Sequence, residues 1–324
     1  MNDATTSGPV DVEIKNLVQD SRAVKSGDIF FAIRGQNQDG HNYLSAVCLK
    51  NPAALVVEDK SAVPADYKGA IIVVPNSRIA LDSMAASFYE FPSAKLFVVG
   101  VTGTNGKTTT SHMIEAALGT QMPTAVMGTI DYHFQNKVYP STHTTPDALA
   151  LQKYFSEWLK LGAKTVTLEV SSHSLAQNRV DSVEFDVAVF TNLTRDHLDF
   201  HKSMEDYRFA KETLFKKLLV NSKKKNKLAV INADDPQNIH FRPNGVKTWL
   251  YGFQGGDIKI QNIKLGMDQT EFTLQTPSGE RKFNIPMIGS YNVYNASAAV
   301  GVALFAGLSL QEISQNMASM HHVR

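Results

Sequence analysis

The amino-acid sequence predicts an α/β protein in two parts: a small α/β domain over residues 1–90, then a larger domain over residues 91–324 with a mostly parallel sheet and helices on both faces. Three observations lead there. Apolar runs of strand length alternate with amphipathic segments of helical period through most of the chain. A proline-bearing turn at "YEFPSAKLF" separates two stretches of different character. Just after it, a glycine-rich loop joins an apolar strand to a helix, the position at which backbone N–H groups converge on an anion.

Taken in order, "GDIFFAI", "AALVVED" and "GAIIVVP" read as strands of the first domain, separated by helix-like segments such as "HNYLSAVCLKN". Beyond the turn, "KLFVVGV", "TTTSHMIEAAL", "ALALQKYFSEWLKLG", "TVTLEV", "FDVAVFTNL", "SMEDYRFAKETLFKKLL" and "KLAVIN" give strands and helices of a parallel sheet. From "DIKIQNIKL" to "KFNIPM" the polar/apolar alternation predicts antiparallel strands, and "NVYNASAAVGVALFAGL" returns to helix. The sequence shows no internal repeat and no low-complexity segment.

Composition narrows the class. Of 324 residues 43% are hydrophobic and 19% charged, enough to build two packed cores, so disorder is not the default. With 32 basic against 31 acidic residues, nothing in the balance points to nucleic acid or an anionic membrane. The basic run Lys216 to Lys227 reads as a solvated helix end and turn. No apolar run approaches the roughly 20 residues that span a bilayer, and the polar start "MNDATTSGPV" lacks the regions of a signal peptide, so a cytoplasmic protein without membrane insertion is expected. A single cysteine, Cys48, has no thiol partner and reads as a small core residue.

The loop "GTNGKT" is a variant of the phosphate-binding loop: the standard spacing needs glycine where Val101 stands. Gly100, Gly103 and Gly106 still let the backbone turn tightly and approach an oxygen, Lys107 can reach the terminal phosphates, and the Thr108 hydroxyl suits Mg²⁺. An ordinary glycine turn capping a helix is the bland alternative. A triphosphate bound with Mg²⁺ also needs acidic ligands, and Glu169 ends the strand "TVTLEV" at the ligand-binding edge of a parallel sheet. His197 follows the next strand to the same edge.

Lys211 is ambiguous in the sequence. Ser203 and Asp206 mark a helix start, Tyr207, Leu214, Phe215 and Leu218 form an apolar stripe, and Lys211 falls on that stripe. By spacing alone it reads as a lysine snorkelling to solvent. A role at a metal requires that its positive charge be removed or reversed, as when CO₂ adds to give a carbamate.

"GVTGTNGKTTT" resembles the phosphate loop of the Mur ligases and the related folylpolyglutamate synthetases, ATP-dependent enzymes that form amide bonds through an acyl phosphate. The resemblance implies a P-loop ATPase domain in which Gly103, Thr104, Asn105, Gly106, Lys107, Thr108 and Thr109 bind ATP. In Mur ligases "DHLDFH…YxxAK" carries a metal-binding histidine and, fourteen residues on, a carbamylated lysine; the same interval separates His197 from Lys211. It implies catalytic roles for Lys107, Lys211 and His197, and a Mg²⁺ ligand set of Thr108, Glu169, His197 and Lys211 as carbamate.

Within the family the chain is similar to the MurE type, which adds the third peptide residue. "DSRAVKSGDIFFAIRGQNQDGH" resembles its N-terminal uridine-binding domain, with Ser21, Gln36, Asn37 and Gln38 at matching positions, although this loop departs from the commoner His-Gln pair. "HTTPDAL" supplies Thr144 and Thr145, and "LEVSSHSLAQNRV" supplies Ser171, Gln177 and Arg179, as contacts for the muramoyl dipeptide. "IGSYNVYNASAA" resembles the adenine-side helix start, with Asn292 and Asn295; two asparagines there are otherwise helix caps. The implied partners are UDP-MurNAc-L-Ala-D-Glu and a diamino acid, meso-diaminopimelate in preference to L-lysine, acting on a monomer. The family has a third, C-terminal domain; this sequence ends at "MHHVR", about where it begins, so its absence is expected. A MurF-type ligase, a folylpolyglutamate-synthetase-like ligase and a noncatalytic nucleotide- or precursor-binding module are the alternatives.

Overall fold

The computed structural model describes residues 4–35, 38–196 and 200–320. The chain divides into two compact units, Met1–Tyr89 and Glu90–Arg324.

In the first unit the strands are β1 (Thr5–Ser7), β2 (Leu17–Val18), β3 (Ile29–Phe31), β4 (Ala54–Val57) and β5 (Ala70–Val73), with helices α1 (Leu44–Cys48) and α2 (Ser77–Phe88). The sheet order is β1-β5-β4-β3-β2, parallel except where β1 meets β5. Phe30, Leu44, Val47, Leu55 and Val57 pack into its core, each burial contributing about 1.5–3 kcal/mol for the larger side chains. Cys48 is half-buried against this core. Asn76 caps α2 by accepting from the Arg78 and Ile79 N–H groups.

In the second unit helix α3 (Pro92–Lys95) leads into β6 (Phe97–Thr102), and α4 (Lys107–Leu118) follows. Then come β7 (Thr124–Met127), β8 (Asp131–Phe134), β9 (Lys137–Pro140), α5 (Ala148–Lys160), β10 (Thr165–Glu169), α6 (Ser172–Ala176) and β11 (Val187–Phe190). Helix α7 (Met204–Thr213) continues as a wider π-helical stretch, Leu214–Leu219. Strands β12 (Leu228–Asn232), β13 (Lys247–Gly252), β14 (Ile258–Leu265), β15 (Thr270–Thr276) and β16 (Gly279–Ile285) precede α8 (Ser290–Phe305) and α9 (Leu310–Ala318).

The sheet order is β16-β15-β14-β13-β12-β11-β6-β10-β7-β8-β9. From β14 to β7 neighbouring strands are parallel; β15 and β16 at one end, β8 and β9 at the other, pair antiparallel. The predicted antiparallel segment therefore begins with a strand, β14, that pairs parallel to β13 on one side. The β8–β9 hairpin lies outside the strands that the sequence pattern predicts. Period-two alternation assigns faces: Val99, Val101, Val187, Val189, Leu228 and Val230 pack with α4, α8 and α9. Val98, Ala188, Phe190, Ala229 and Ile231 face the other way, against α5 and the π-helical stretch. Helices thus cover both faces, as the sequence predicts. The basic run is tied down locally, with Lys217 paired to Asp181 and Lys224 to Asp186.

The strand order decides where a ligand can sit. From β6 the chain continues to β7 on one side of the sheet, while β11 and β12 lie on the other. The carboxyl end of β6 is a topological switch point, where the connecting loops diverge and leave a crevice.

Candidate functional site

At that crevice the chain turns from β6 into α4 through Gly103–Gly106. Gly103 has φ 153°, and a Cβ there would lie 1.9 Å from the Thr191 Oγ1. Gly106, at φ 83°, stands at the start of α4, and its Cβ would meet the Asn295 Oδ1 at 2.6 Å. Both positions therefore require glycine. The segment after β11 fastens the loop: the Thr104 N–H donates to the Asn192 carbonyl at 2.8 Å, and the Asn105 N–H to the Asn192 Oδ1 at 3.0 Å. The Thr191 hydroxyl in turn donates to the Asn105 carbonyl at 2.6 Å. Thr108 and Thr109 lie half-buried in the first turn of α4, whose N–H groups and dipole favour an anion.

Two lysines converge on one oxygen. Lys107 Nζ donates to the Gly103 and Thr104 carbonyls at 3.0 and 2.8 Å, and Lys211 Nζ donates to the same Gly103 carbonyl at 2.8 Å. Lys211 is 1% exposed and lies over the Tyr207 ring, 4.6 Å from its centroid. This corrects the reading by spacing: the side chain does not snorkel to solvent but points inward from α7 to the phosphate loop. Burial, and then the neighbouring Lys107 charge, push the Lys211 ammonium well below its usual range, with Asp196 opposing. Lys107 is also lowered by burial, against Glu169 and Asp196.

Glu169 is 1% exposed, pairs in register with Val101 of β6, and accepts from the Thr129 N–H at 2.9 Å and hydroxyl at 3.1 Å. The Thr129 hydroxyl also lies 3.0 Å from that of Thr144. A cavity of about 480 Å³ brings together Lys107, Thr144, Thr145, Ser171, Arg179 and Lys211, along with Thr129 and His173. Its wall is hydrogen-bonded: the Thr145 hydroxyl donates to the Glu169 carbonyl at 2.8 Å, and Arg179 Nη1 donates to the Thr145 carbonyl at 2.8 Å. Ser171 caps α6, accepting from the Ser174 N–H at 3.1 Å. Gln177 does not line the cavity; its Oε1 accepts from Arg179 Nε and Nη2 at 3.0 and 2.6 Å and so orients the guanidinium. His197 lies outside the described residues.

On the other side of the loop a second cavity of about 620 Å³ is lined by Asn105, Gly106, Thr109, Asn292 and Asn295. Asn295 Oδ1 accepts from the Thr110 hydroxyl at 3.2 Å and so ties α8 to α4, whereas Asn292 Nδ2 donates to the Ile288 carbonyl at 2.9 Å and secures the start of α8. Asp234, Tyr291 and Tyr294 share this cavity, with the Tyr294 hydroxyl donating to Asp234 at 2.7 Å. These residues, and Thr191 and Asn192, were missed in the sequence. The available signal was position: "TNLT" and "NADD" are polar runs directly after apolar strands of a parallel sheet.

The first unit has its own cavity, of about 610 Å³, lined by Ser21, Arg22, Phe30, Gly35, Gln38 and Tyr43 among others. Beside it His41 fixes the Gly40–Tyr43 turn, its Nδ1 2.6 Å from Asp39 and its Nε2 accepting from the Glu58 N–H at 2.9 Å. Gln36 and Asn37 lie outside the described residues.

Residues 101–303 match the family profile described as Mur ligase middle domain. The UDP-N-acetylmuramoyl-L-alanyl-D-glutamate–2,6-diaminopimelate ligase of Geobacter metallireducens is 42% identical over 313 residues, covering 95% of this chain and 61% of that protein. The ligase of the same name from Bacillus licheniformis is 37% identical, covering 98% of this chain and 65% of that protein. A solved structure of a ligase with this name superposes with a TM-score of 0.83 at 28% identity, over 98% of this chain and 66% of that one. MurF from Acinetobacter baumannii gives 0.69 at 26% identity, over 97% of this chain and 64% of that one. The chain thus spans less than two thirds of the length of each of these proteins.

Proposed function

This chain belongs to the Mur ligase family, and from that premise we propose that it carries the ATP- and precursor-binding portion of an ATP-dependent amide-bond ligase of the MurE type, which joins 2,6-diaminopimelate to UDP-MurNAc-L-Ala-D-Glu in the cytoplasm. The observation that carries the reading is the cavity in which Lys107 and Lys211 open onto the same space as Thr144, Thr145, Ser171 and Arg179. A lysine suited to phosphate and an arginine suited to a carboxylate or phosphate on one cavity wall support that reading. The diaminopimelate assignment rests on the names of the relatives.

In this reading the first unit, with Ser21 and Gln38 at its cavity and Gln36 and Asn37 in the adjoining loop, takes the uridine end of the precursor. The second unit takes ATP. The loop Gly103–Thr109 holds the phosphates and the cavity at Asn292 and Asn295 holds the nucleoside. The free D-glutamyl carboxylate attacks the γ-phosphorus, the bond to ADP breaks, and an acyl phosphate forms. The diaminopimelate amine then attacks the acyl carbon, losing a proton and expelling inorganic phosphate. Lys107 and the loop N–H groups stabilise charge on the transferring group, where most of the catalysis of phosphoryl transfer resides. Arg179, oriented by Gln177, positions the precursor.

The oxygen donors present fit Mg²⁺: the Thr108 hydroxyl and the buried Glu169 carboxylate are hard ligands of the kind that ion takes. The ions supply charge neutralisation at the phosphates. Lys211 and His197 complete the proposed set. An amine is a poor Mg²⁺ ligand, and Lys211 joins it as the carbamate, whose formation consumes the uncharged amine that burial favours.

The test is isothermal titration of the 324-residue chain with UDP-MurNAc-L-Ala-D-Glu in the presence of Mg²⁺ and a nonhydrolysable ATP analogue. Binding is expected, and Arg179→Ala should weaken it by about 2–4 kcal/mol through loss of a charge-assisted pair. A folded chain that binds the ATP analogue but not the precursor would overturn the substrate assignment.

A further inference from the structure

On α4, five residues beyond Lys107, His112 is followed by Glu115 at i+3, so the two side chains share one helix face. Strand β8 presents His133 to the same face. Glu115 Oε1 lies 3.1 Å from His133 Nε2, and Glu115 Oε2 lies 3.6 Å from His112 Nδ1. The imidazoles of His112 and His133 stack with centroids 5.5 Å apart. Among the described residues this is the one group of three such side chains whose ligand atoms all fall within 4.8 Å of each other.

We propose that His112, Glu115 and His133 form a binding site for a divalent transition metal ion of the zinc class. Ligand atoms around tetrahedral zinc, at about 2.0–2.1 Å from the ion, sit roughly 3.3 Å from one another. The separations of 3.1 and 3.6 Å at Glu115 bracket that spacing, so closing on an ion requires only small side-chain movements. Two imidazoles and one carboxylate are the donor set that borderline metals prefer over Mg²⁺ or Ca²⁺. The outer partner is also in place: Asp131 Oδ1 lies 2.6 Å from His133 Nδ1 and directs Nε2 inward to the cluster, the carboxylate–histidine arrangement of metal sites. All three side chains are partly exposed, at 18%, 33% and 13% for His112, Glu115 and His133, which leaves a path for entry and room for a fourth, solvent ligand.

An ion held there fastens two segments that converge on the phosphate loop. Helix α4 starts at Lys107, and the turn leading into β8 carries Thr129, which holds Glu169. None of the three ligands has a role in the proposed ligase chemistry, so the two readings stand or fall separately.

The experiment titrates the untagged 324-residue chain with Co²⁺, followed by visible absorption, in excess Mg²⁺ to saturate the hard-oxygen site; thermal unfolding is then followed with and without Zn²⁺. One equivalent of Co²⁺ is expected to bind, and Zn²⁺ to raise the Tm. His112→Ala and the isosteric Glu115→Gln should each weaken binding by at least about tenfold and remove the Tm shift, and Asp131→Asn should weaken it about 10–100-fold. Failure of the parent chain to bind either ion, or binding unchanged in both His112→Ala and Glu115→Gln, overturns the site and leaves the cluster an ion-pair network only.

Discussion

The Gly103 carbonyl oxygen accepts from both Lys107 and Lys211, and this shared acceptor holds two ammonium groups close together in a buried place. Such an arrangement favours loss of one charge, and Lys211, the more deeply buried, is the one displaced further. The proposed carbamylation would replace that disfavoured cation with an anion beside Lys107. Incubating the chain with ¹³C-bicarbonate should give a carbamate resonance that is absent from Lys211→Ala. In an assay of the proposed ligase activity that variant should lose turnover by about 10²-fold or more, partly restored by short carboxylic acids; full activity would remove the lysine from the mechanism. Gly103 makes a separate residue-scale prediction. Gly103→Ala puts a Cβ 1.9 Å from the Thr191 hydroxyl at a φ that favours glycine, and should cost about 1–3 kcal/mol in denaturant unfolding.

At the scale of elements, helix α4 connects the phosphate loop to the β8–β9 hairpin. Its face is tied to β8 through Glu115 and His133. Burial disfavours charge on the His133 imidazole, but the hydrogen bonds and charges of Glu115 and Asp131 outweigh that and raise its pKa to about 9. The folded state thus binds this proton more tightly than the unfolded chain, whose value is 6.5. The resulting stability is fully present below pH 6.5 and is lost as pH rises through about 9. With metal chelated, the denaturant midpoint should fall across that window, and His133→Asn should flatten the slope. An unchanged slope in the variant would show that the pair contributes nothing to folding.

At the scale of the whole molecule the two units offer separate cavities, and ligands should report on them separately. Hydrogen exchange with a nonhydrolysable ATP analogue and Mg²⁺ should slow amides at residues 103–110 and 191–194 and leave those of β3 unchanged, while UDP alone should act on residues 19–22 and 38–43. Protection of the first unit by the ATP analogue alone would contradict the assignment of nucleotide to the second. The alternation of strands and helices, both helical faces of the large sheet and the position of the phosphate loop were legible because each depends on local periodicity and glycine content. The β8–β9 hairpin and the parallel pairing of β14 were not, since a strand's own residues do not say which neighbour it will meet.

The sequence by itself determined the α/β class and the variant phosphate loop, because a strand, a glycine turn and a helix start are written in contiguous residues. Only the tertiary structure decided which way Lys211 points. An apolar stripe states that a helix face is buried but not against what, and here the face of α7 meets the Gly103 carbonyl, 108 positions away in the chain. The clamp of Thr191 and Asn192 on the loop and the meeting of His112 and Glu115 with His133 have the same origin: strand order and register bring them together, and neither is encoded in local spacing.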